Sequence, residues 1–305
     1  MAIRHKLFGI YSPVLTAFHA DLFPDMQAFV LHCQWLVAND CGLAMFGTNS
    51  EANSLSAAER RGLLDALLAA GVPSARLLRG TGCCSLTDTV ELTRHAATAG
   101  LGGVLMLPLF YYKSVSDEGP FRHFAEVKER VGDSRLRIYP HHILPVAEVP
   151  ISLALIERLL KAYPTAIAGI KDSSGDWSNT EAMPKQFQPK GFDVCAGSGV
   201  FLLRTLRRGG AGCITATGNV NPAPMVNLFQ SWQEPEADAQ QTALNVARAA
   251  FQKYPLISAM KSAVAHYGKW PSWRAVRPPL TELTQQQERS LVDALDTIGL
   301  RMPGL

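Results

Sequence analysis

Lys171 closes the apolar run Ala166-Ile167-Ala168-Gly169-Ile170, so its ammonium is expected at the end of a buried strand. Desolvation and neighbouring cations lower a lysine's proton affinity and leave free amine able to attack a carbonyl carbon. The plainer alternative is a lysine that pairs with the adjacent carboxylate of Asp172. Other residues with chemical capacity close similar runs: Thr48-Asn49-Ser50-Glu51, Tyr111-Tyr112, His141-His142, Lys171-Asp172-Ser173-Ser174 and Gly197-Ser198-Gly199. Tyr139 and His141 share one face if their segment is a strand, because strand side chains alternate with a period of two. Pro140 between them removes a ladder donor and could disturb that strand. Gly197-Ser198-Gly199 reads as close approach of backbone to a pocket, since a lone G-x-G does not mark a phosphate loop. His32, His95, His123 and His266 fall in helical patterns and read as packing or surface residues, as does His142.

Eight short runs rich in Val, Ile and Leu must carry these residues, at 10–16, 42–47, 76–80, 103–107, 136–142, 166–171, 192–196 and 212–216. Amphipathic stretches separate them, at 25–37, 57–70, 87–99, 120–131, 152–162, 199–208 and 224–231, with 177–187 a weaker helical connection. Ser56 with Glu59 has capping-box spacing, Ser85 or Thr87 can start the next helix, and Gly100 and Gly209-Gly210 follow helix ends. Eight parallel strands with helices between them predict a closed (β/α)₈ barrel, because an open doubly wound sheet has fewer strands and a Gly-rich turn after the first. No such turn follows the first run here. Three further helical segments, 235–253, 256–266 and 284–300, with a Pro-rich break at 270–279, predict a C-terminal helical appendage. The expected division is a barrel over residues 1–232 and a helical domain over 233–305. In such a barrel the chemistry belongs at the carboxyl ends of the strands.

The 305 residues are 47% hydrophobic and 18% charged, which suits a chain with a large core and excludes a disordered tail or a small stapled scaffold. Net charge is 29 − 26 = +3, and without a run of five or more like charges the chain lacks the footprint of a nucleic-acid binder. Arg204, Arg207 and Arg208 form the densest basic spot and read as a solvated face. The longest apolar stretch, 101–112, is broken by Gly and Pro and is shorter than the roughly 20 residues of a membrane helix. Neither a membrane nor a signal sequence is expected, which makes the cytoplasm the default compartment. The six cysteines show no C-x-x-C and no His at ligand spacing, so they read as buried small hydrophobes rather than a metal site.

The run Gly169-Ile170-Lys171-Asp172-Ser173-Ser174-Gly175-Asp176 resembles the G-I-K-[DE]-x-[ST]-G-[DN] segment of the dihydrodipicolinate synthase and N-acetylneuraminate lyase family. The resemblance extends in order along the chain. Ser12-Pro13-Val14-Leu15-Thr16-Ala17-Phe18 resembles that family's opening strand, and Gly47-Thr48-Asn49-Ser50-Glu51 its G-T-T-G-E loop. Leu109-Phe110-Tyr111-Tyr112 with Glu118-Gly119 resembles P-P-Y-Y followed by E-G, and Gly212-Cys213-Ile214-Thr215 resembles the G-V-I-S strand. What the resemblance implies is a Schiff-base (β/α)₈ barrel with a C-terminal helical domain and no metal or organic cofactor. Lys171 would form an iminium with a 2-oxo acid such as pyruvate, and the derived enamine would add to an aldehyde, or the reverse cleavage would run. Thr48, Asn49 and Ser50 would seat the substrate carboxylate, Gly197 would border the pocket, and Ile214 would close it around the Schiff base. Tyr112 would complete a proton relay across a subunit interface, in a homo-oligomer that is a dimer or, as is common in the family, a tetramer. A dehydratase of a sugar-derived 2-oxo acid and a non-catalytic 2-oxo-acid-binding barrel are the alternative functions.

Two departures stand out. Asn49 and Ser50 replace the family's Thr and Gly, which keeps donors and loses one permissive backbone position. At the end of the fifth strand the family carries a shuttle tyrosine in Y-[NH]-x-P. Aligned without a gap from Val149-Pro150-Ile151-Ser152, His141 takes the tyrosine's place; aligned on the tyrosine itself, Tyr139 does. The ungapped register is preferred and also puts Val146 where dihydrodipicolinate synthases have an arginine, which argues against their dicarboxylate-forming reaction. A histidine can relay protons near neutral pH, so the swap need not abolish chemistry, but it argues against identical catalysis.

Overall fold

Strands that are covered on both faces need apolar residues at nearly every position, and the short Val, Ile and Leu runs meet that demand. In the computed structural model, which describes residues 7–305, they form β1 (Gly9–Ser12), β2 (Gly42–Met45), β3 (Leu77–Gly80), β4 (Gly103–Met106), β5 (Ile138–His142), β6 (Gly169–Asp172), β7 (Asp193–Ala196) and β8 (Gly212–Ile214). They close into a barrel in the order β1 to β8, as the strand count predicts. The helices are α1 (Met26–Ala38), α2 (Ala57–Ala69), α3 (Leu86–Thr98), α4 (Glu118–Val131), α5 (Leu144–Ala147), α6 (Leu153–Ala162), α7 (Trp177–Phe187), α8 (Leu202–Arg207), α9 (Pro222–Gln230), α10 (Ala237–Gln252), α11 (Leu256–Tyr267) and α12 (Gln285–Thr297). Among the described residues no helix is long and apolar enough to cross a membrane.

Local signals work where they were expected. Ser56 and Glu59 form the capping box of α2, Ser85 caps α3, and Gly100 and Gly209 adopt the left-handed backbone past their helices. The first strand ends earlier than its apolar run, because Pro13 has no N–H; the Val14 N–H still reaches the Ala44 carbonyl of β2 at 3.2 Å, and the next two residues bond elsewhere. Leu15 N–H donates to Asn219 Oδ1 at 3.1 Å, and Thr16 Oγ1 donates to the Ser50 carbonyl at 2.7 Å. The expected sixth strand starts late for a similar reason, since the N–H groups of Ala166 and Ile167 turn back to the Tyr163 carbonyl at the end of α6. Pro140 does not interrupt β5, which loses one ladder donor and continues to His142. The segment 199–208 opens as a tight turn before α8, and α5 is a single turn that the apolar pattern did not announce.

Two compact units emerge among the described residues, one of 7–9 with Pro73–Ile214, the other of Ile10–Val72 with Thr215–Leu305. The first is built on a shell where Val104, Met106, Ile138, Ile170 and Val194 of the strands meet Phe124, Leu155, Leu159, Met183 and Phe187 of the helices. In the second, the C-terminal helices are tied to the chain that follows β2. Lys261 of α11 donates to Glu51 Oε1 at 2.7 Å, and both side chains are wholly buried. The Arg277 N–H donates to the other Glu51 oxygen at 2.8 Å, and its guanidinium is paired with Glu59 of α2. Four of the six cysteines are buried as expected. Cys84 is exposed and Cys83 half-buried, because both lie in the loop between β3 and α3 rather than in an element.

Candidate active site

Alternation decides which strand residues can meet inside the first unit. Ile138 and Ile170 face the helical shell, so Tyr139, His141 and Lys171, odd-numbered neighbours on the same strands, face the other way. Register then brings His141 of β5 level with Lys171 of β6, and Lys171 level with Cys195 of β7. Lys171 is 7% exposed, and burial lowers its pKa to about 8, with Cys213 and Cys195 acting in the opposite direction. Asp172, the partner that a plain structural lysine would use, faces outward instead. It accepts from Thr180 Oγ1 at 2.5 Å and from Ser174 N–H and Oγ at 3.1 Å, and it lies 3.2 Å from His142 Nδ1. Burial pushes its carboxyl up, and these bonds more than reverse the effect, leaving it below the usual carboxylate range. His142 thus serves the outer face of the strand ends.

His141 is 3% exposed, and burial followed by the neighbouring Lys171 charge holds its pKa well below the ordinary histidine value. Its Nε2 lies 3.2 Å from Ser173 Oγ. Ser173 is held in place by its own N–H, which donates to the His142 carbonyl at 2.6 Å. The sequence places Ser173 among the strand-end residues but gives it no role, and the spacing of 32 residues between it and His141 is no signal without the register. Tyr139 lies two residues deeper on β5, roughly 6–7 Å along the strand from His141. Its ring is 1% exposed and fills the room left by Gly103 and Gly169, where an added Cβ would come within 2.8 Å of the ring. Gly197 also makes room for a side chain, since a Cβ there would collide with Ser173. Its N–H donates to the Asp172 carbonyl at 2.6 Å. Ile214 ends β8 and is wholly buried. Tyr111 and Tyr112 stand in the loop after β4, 73% and 67% exposed, with their rings edge to face at 5.4 Å. Val146, on α5, is 57% exposed.

In the second unit, Thr48, Asn49 and Ser50 form a tight helical turn directly after β2, and the first N–H groups of such a turn have no partner within it. Thr48 and Asn49 are half-buried. Ser50 is fully buried, and its hydroxyl donates to the Val14 carbonyl while its own carbonyl accepts from Thr16. The Ser50 hydroxyl therefore tethers the turn. Glu51 closes the turn in the left-handed conformation, at φ 55°, with its carboxylate held by Lys261 and Arg277.

Residues 6–298 match the family model of the Dihydrodipicolinate synthetase family. An uncharacterized DapA-like lyase of Chloroflexus aurantiacus is 31% identical over 295 residues, covering 95% of this chain and 96% of its own. The crystal structure of dihydrodipicolinate synthase from Agrobacterium tumefaciens superposes with a TM-score of 0.89 at 29% identity, over 96% of this chain and 99% of that one. The crystal structure of YagE, an Escherichia coli K12 prophage protein of the dihydrodipicolinic acid synthase family solved in complex with pyruvate, gives a TM-score of 0.87 at 28% identity, with coverage of 96% and 99%.

Proposed function

Because the chain belongs to the dihydrodipicolinate synthetase family and is a lyase of the aldolase type, we propose that it works through a Schiff base between Lys171 and pyruvate or another 2-oxo acid. The observation that carries this reading is the buried Lys171 amine at the carboxyl end of β6, with a pKa lowered to about 8 and its neighbouring carboxylate turned away. The free amine attacks the keto carbon, water leaves, and an iminium remains. That cation draws electrons from the methyl C–H bond, so removal of a methyl proton yields an enamine able to add to an aldehyde.

Three further roles complete the proposal. The Thr48 hydroxyl, the Asn49 amide and the N–H groups of their turn hold the substrate carboxylate, and Ser50 fixes that turn. Gly197 and Ile214 shape the pocket around the Schiff base. His141, level with Lys171, moves the proton, and Tyr139 supports the barrel from one layer below; the register of β5 and β6 favours this assignment over the reverse. Tyr112 reaches the same reaction in a neighbouring copy of the chain, which makes the active form a dimer or tetramer. Two large exposed tyrosine rings in one loop support a covered surface there. Val146 presents an apolar side chain where the resemblance puts the arginine of dihydrodipicolinate synthases, so the aldehyde is one without a carboxylate to be held at that position.

Borohydride reduction in the presence of pyruvate tests the reading, with peptide mass spectrometry to find the adduct. A stable pyruvyl group on Lys171 is expected, with no adduct and no turnover in Lys171→Ala. An unmodified Lys171 after reduction of the folded protein would refute it.

A further inference from the structure

An imidazole is shorter than a phenol. A histidine in the place of a shuttle tyrosine therefore ends closer to its own strand, and the proton of a substrate on Lys171 lies further from it. Ser173 stands two residues beyond Lys171, on the same face of the chain by alternation, with its hydroxyl 3.2 Å from His141 Nε2. That separation is at the limit of direct proton exchange between a hydroxyl and a base. Two independent features hold the hydroxyl there. The Ser173 N–H is bonded to the His142 carbonyl at 2.6 Å, and the missing side chain of Gly197 leaves the space that Ser173 occupies.

We infer that Ser173 and His141 form one composite shuttle, the hydroxyl occupying the role of a phenol oxygen and the imidazole serving as the proton store behind it. The inference rests on Lys171 as the Schiff-base lysine. In the step, a methyl proton of the iminium passes to Ser173 Oγ as the Oγ proton passes to His141 Nε2. The C–H electron pair becomes the C=C bond of the enamine, and the C=N π pair returns to the Lys171 nitrogen as a lone pair. The iminium charge disappears and a histidinium appears, so charge and protons balance. Reversal of the same transfers returns the proton. On this account Gly197 acts on the chemistry through Ser173.

The test separates formation of the Schiff base from the proton transfer. Borohydride trapping reads the first, and exchange of the pyruvate methyl protons in D₂O, followed by proton NMR, reads the second without any aldehyde. In Ser173→Ala and in His141→Gln the Lys171 adduct is expected to form, while exchange falls by about a hundredfold, the usual loss for a positioned acid–base group. The double variant should be no slower than either single one, because groups that act as a unit are not additive. In a His141→Tyr background, Ser173→Ala should cost less than threefold, since a phenol reaches the substrate unaided. Exchange in Ser173→Ala within threefold of the natural protein, with the adduct present, would overturn the composite shuttle and leave Lys171 standing. So would losses that multiply in the double variant, or a natural protein that forms the adduct and exchanges nothing. Failure of the natural protein to form any adduct would overturn the Lys171 reading, and the shuttle with it.

Discussion

A lysine that attacks a carbonyl must first lose its proton, and at Lys171 burial has already removed most of the cost. With a pKa of about 8 rather than 10.5, about a tenth of the lysine is free amine at pH 7, and the free form dominates above pH 8. The protonated form cannot attack, so the rate of pyruvate trapping should rise with pH through a midpoint near 8 and then level. At about pH 6 it should lie roughly a hundredfold below the plateau, which rapid-quench reduction across a pH series would measure. A midpoint above 10 would mean that Lys171 is solvated. The amine was legible in the sequence because a cation at the end of an apolar run is costly unless it has a use. As candidates for the shuttle, His141 and Tyr139 were both legible, with the ungapped register preferring His141; what the sequence could not give is the level of each, which the register of β5 on β6 supplies by setting His141 beside Lys171 and Tyr139 a layer beneath. Ser173 was not legible, because nothing in its spacing says that Gly197 vacates the volume it fills.

At the scale of elements, the turn after β2 is held by a buried ion pair as well as by the Ser50 hydrogen bonds. Glu51 closes that turn in a left-handed backbone and has its carboxylate wholly buried against Lys261 of α11. Burial lowers the Lys261 pKa to about 8, and the attraction of Glu51 only partly restores it. Lys261→Met would leave the carboxylate buried with one N–H donor from Arg277, and loss of about 3–5 kcal/mol is expected in chemical denaturation. The double variant Lys261→Met with Glu51→Gln should recover much of that loss, since no charge is then stranded; equal destabilisation in both would show that the pair itself is net favourable. The strand and helix runs were readable because apolar period and cap residues are local. The Glu51–Lys261 pair, the tight turns at 48–54 and the early end of β1 were not. They depend on partners far along the chain, 34 residues away for the Thr16–Ser50 bond and 226 for the Arg277–Glu51 bond.

For the whole molecule, the proposal that Tyr112 completes the site of a second copy can be tested by mixing experiments. Lys171→Ala retains a normal Tyr112 and Tyr112→Phe retains a normal Lys171. Each alone should be inactive or nearly so. Hybrids reassembled from the two should regain activity, because one site per pair receives its lysine from one copy and its tyrosine from the other. Activity no greater than the sum of the separate variants would show that Tyr112 does not act in a neighbouring copy. The bond between Glu51 and Lys261 bears on how such a molecule is made. Translation delivers Glu51 210 residues before its ammonium partner, a delay of roughly 10 to 40 s at ordinary elongation rates. Throughout that interval the turn after β2 has a carboxylate with nothing to bury it against. The nascent segment 10–72 must therefore wait, unfinished and open to chaperones, while residues 73–214 leave the ribosome.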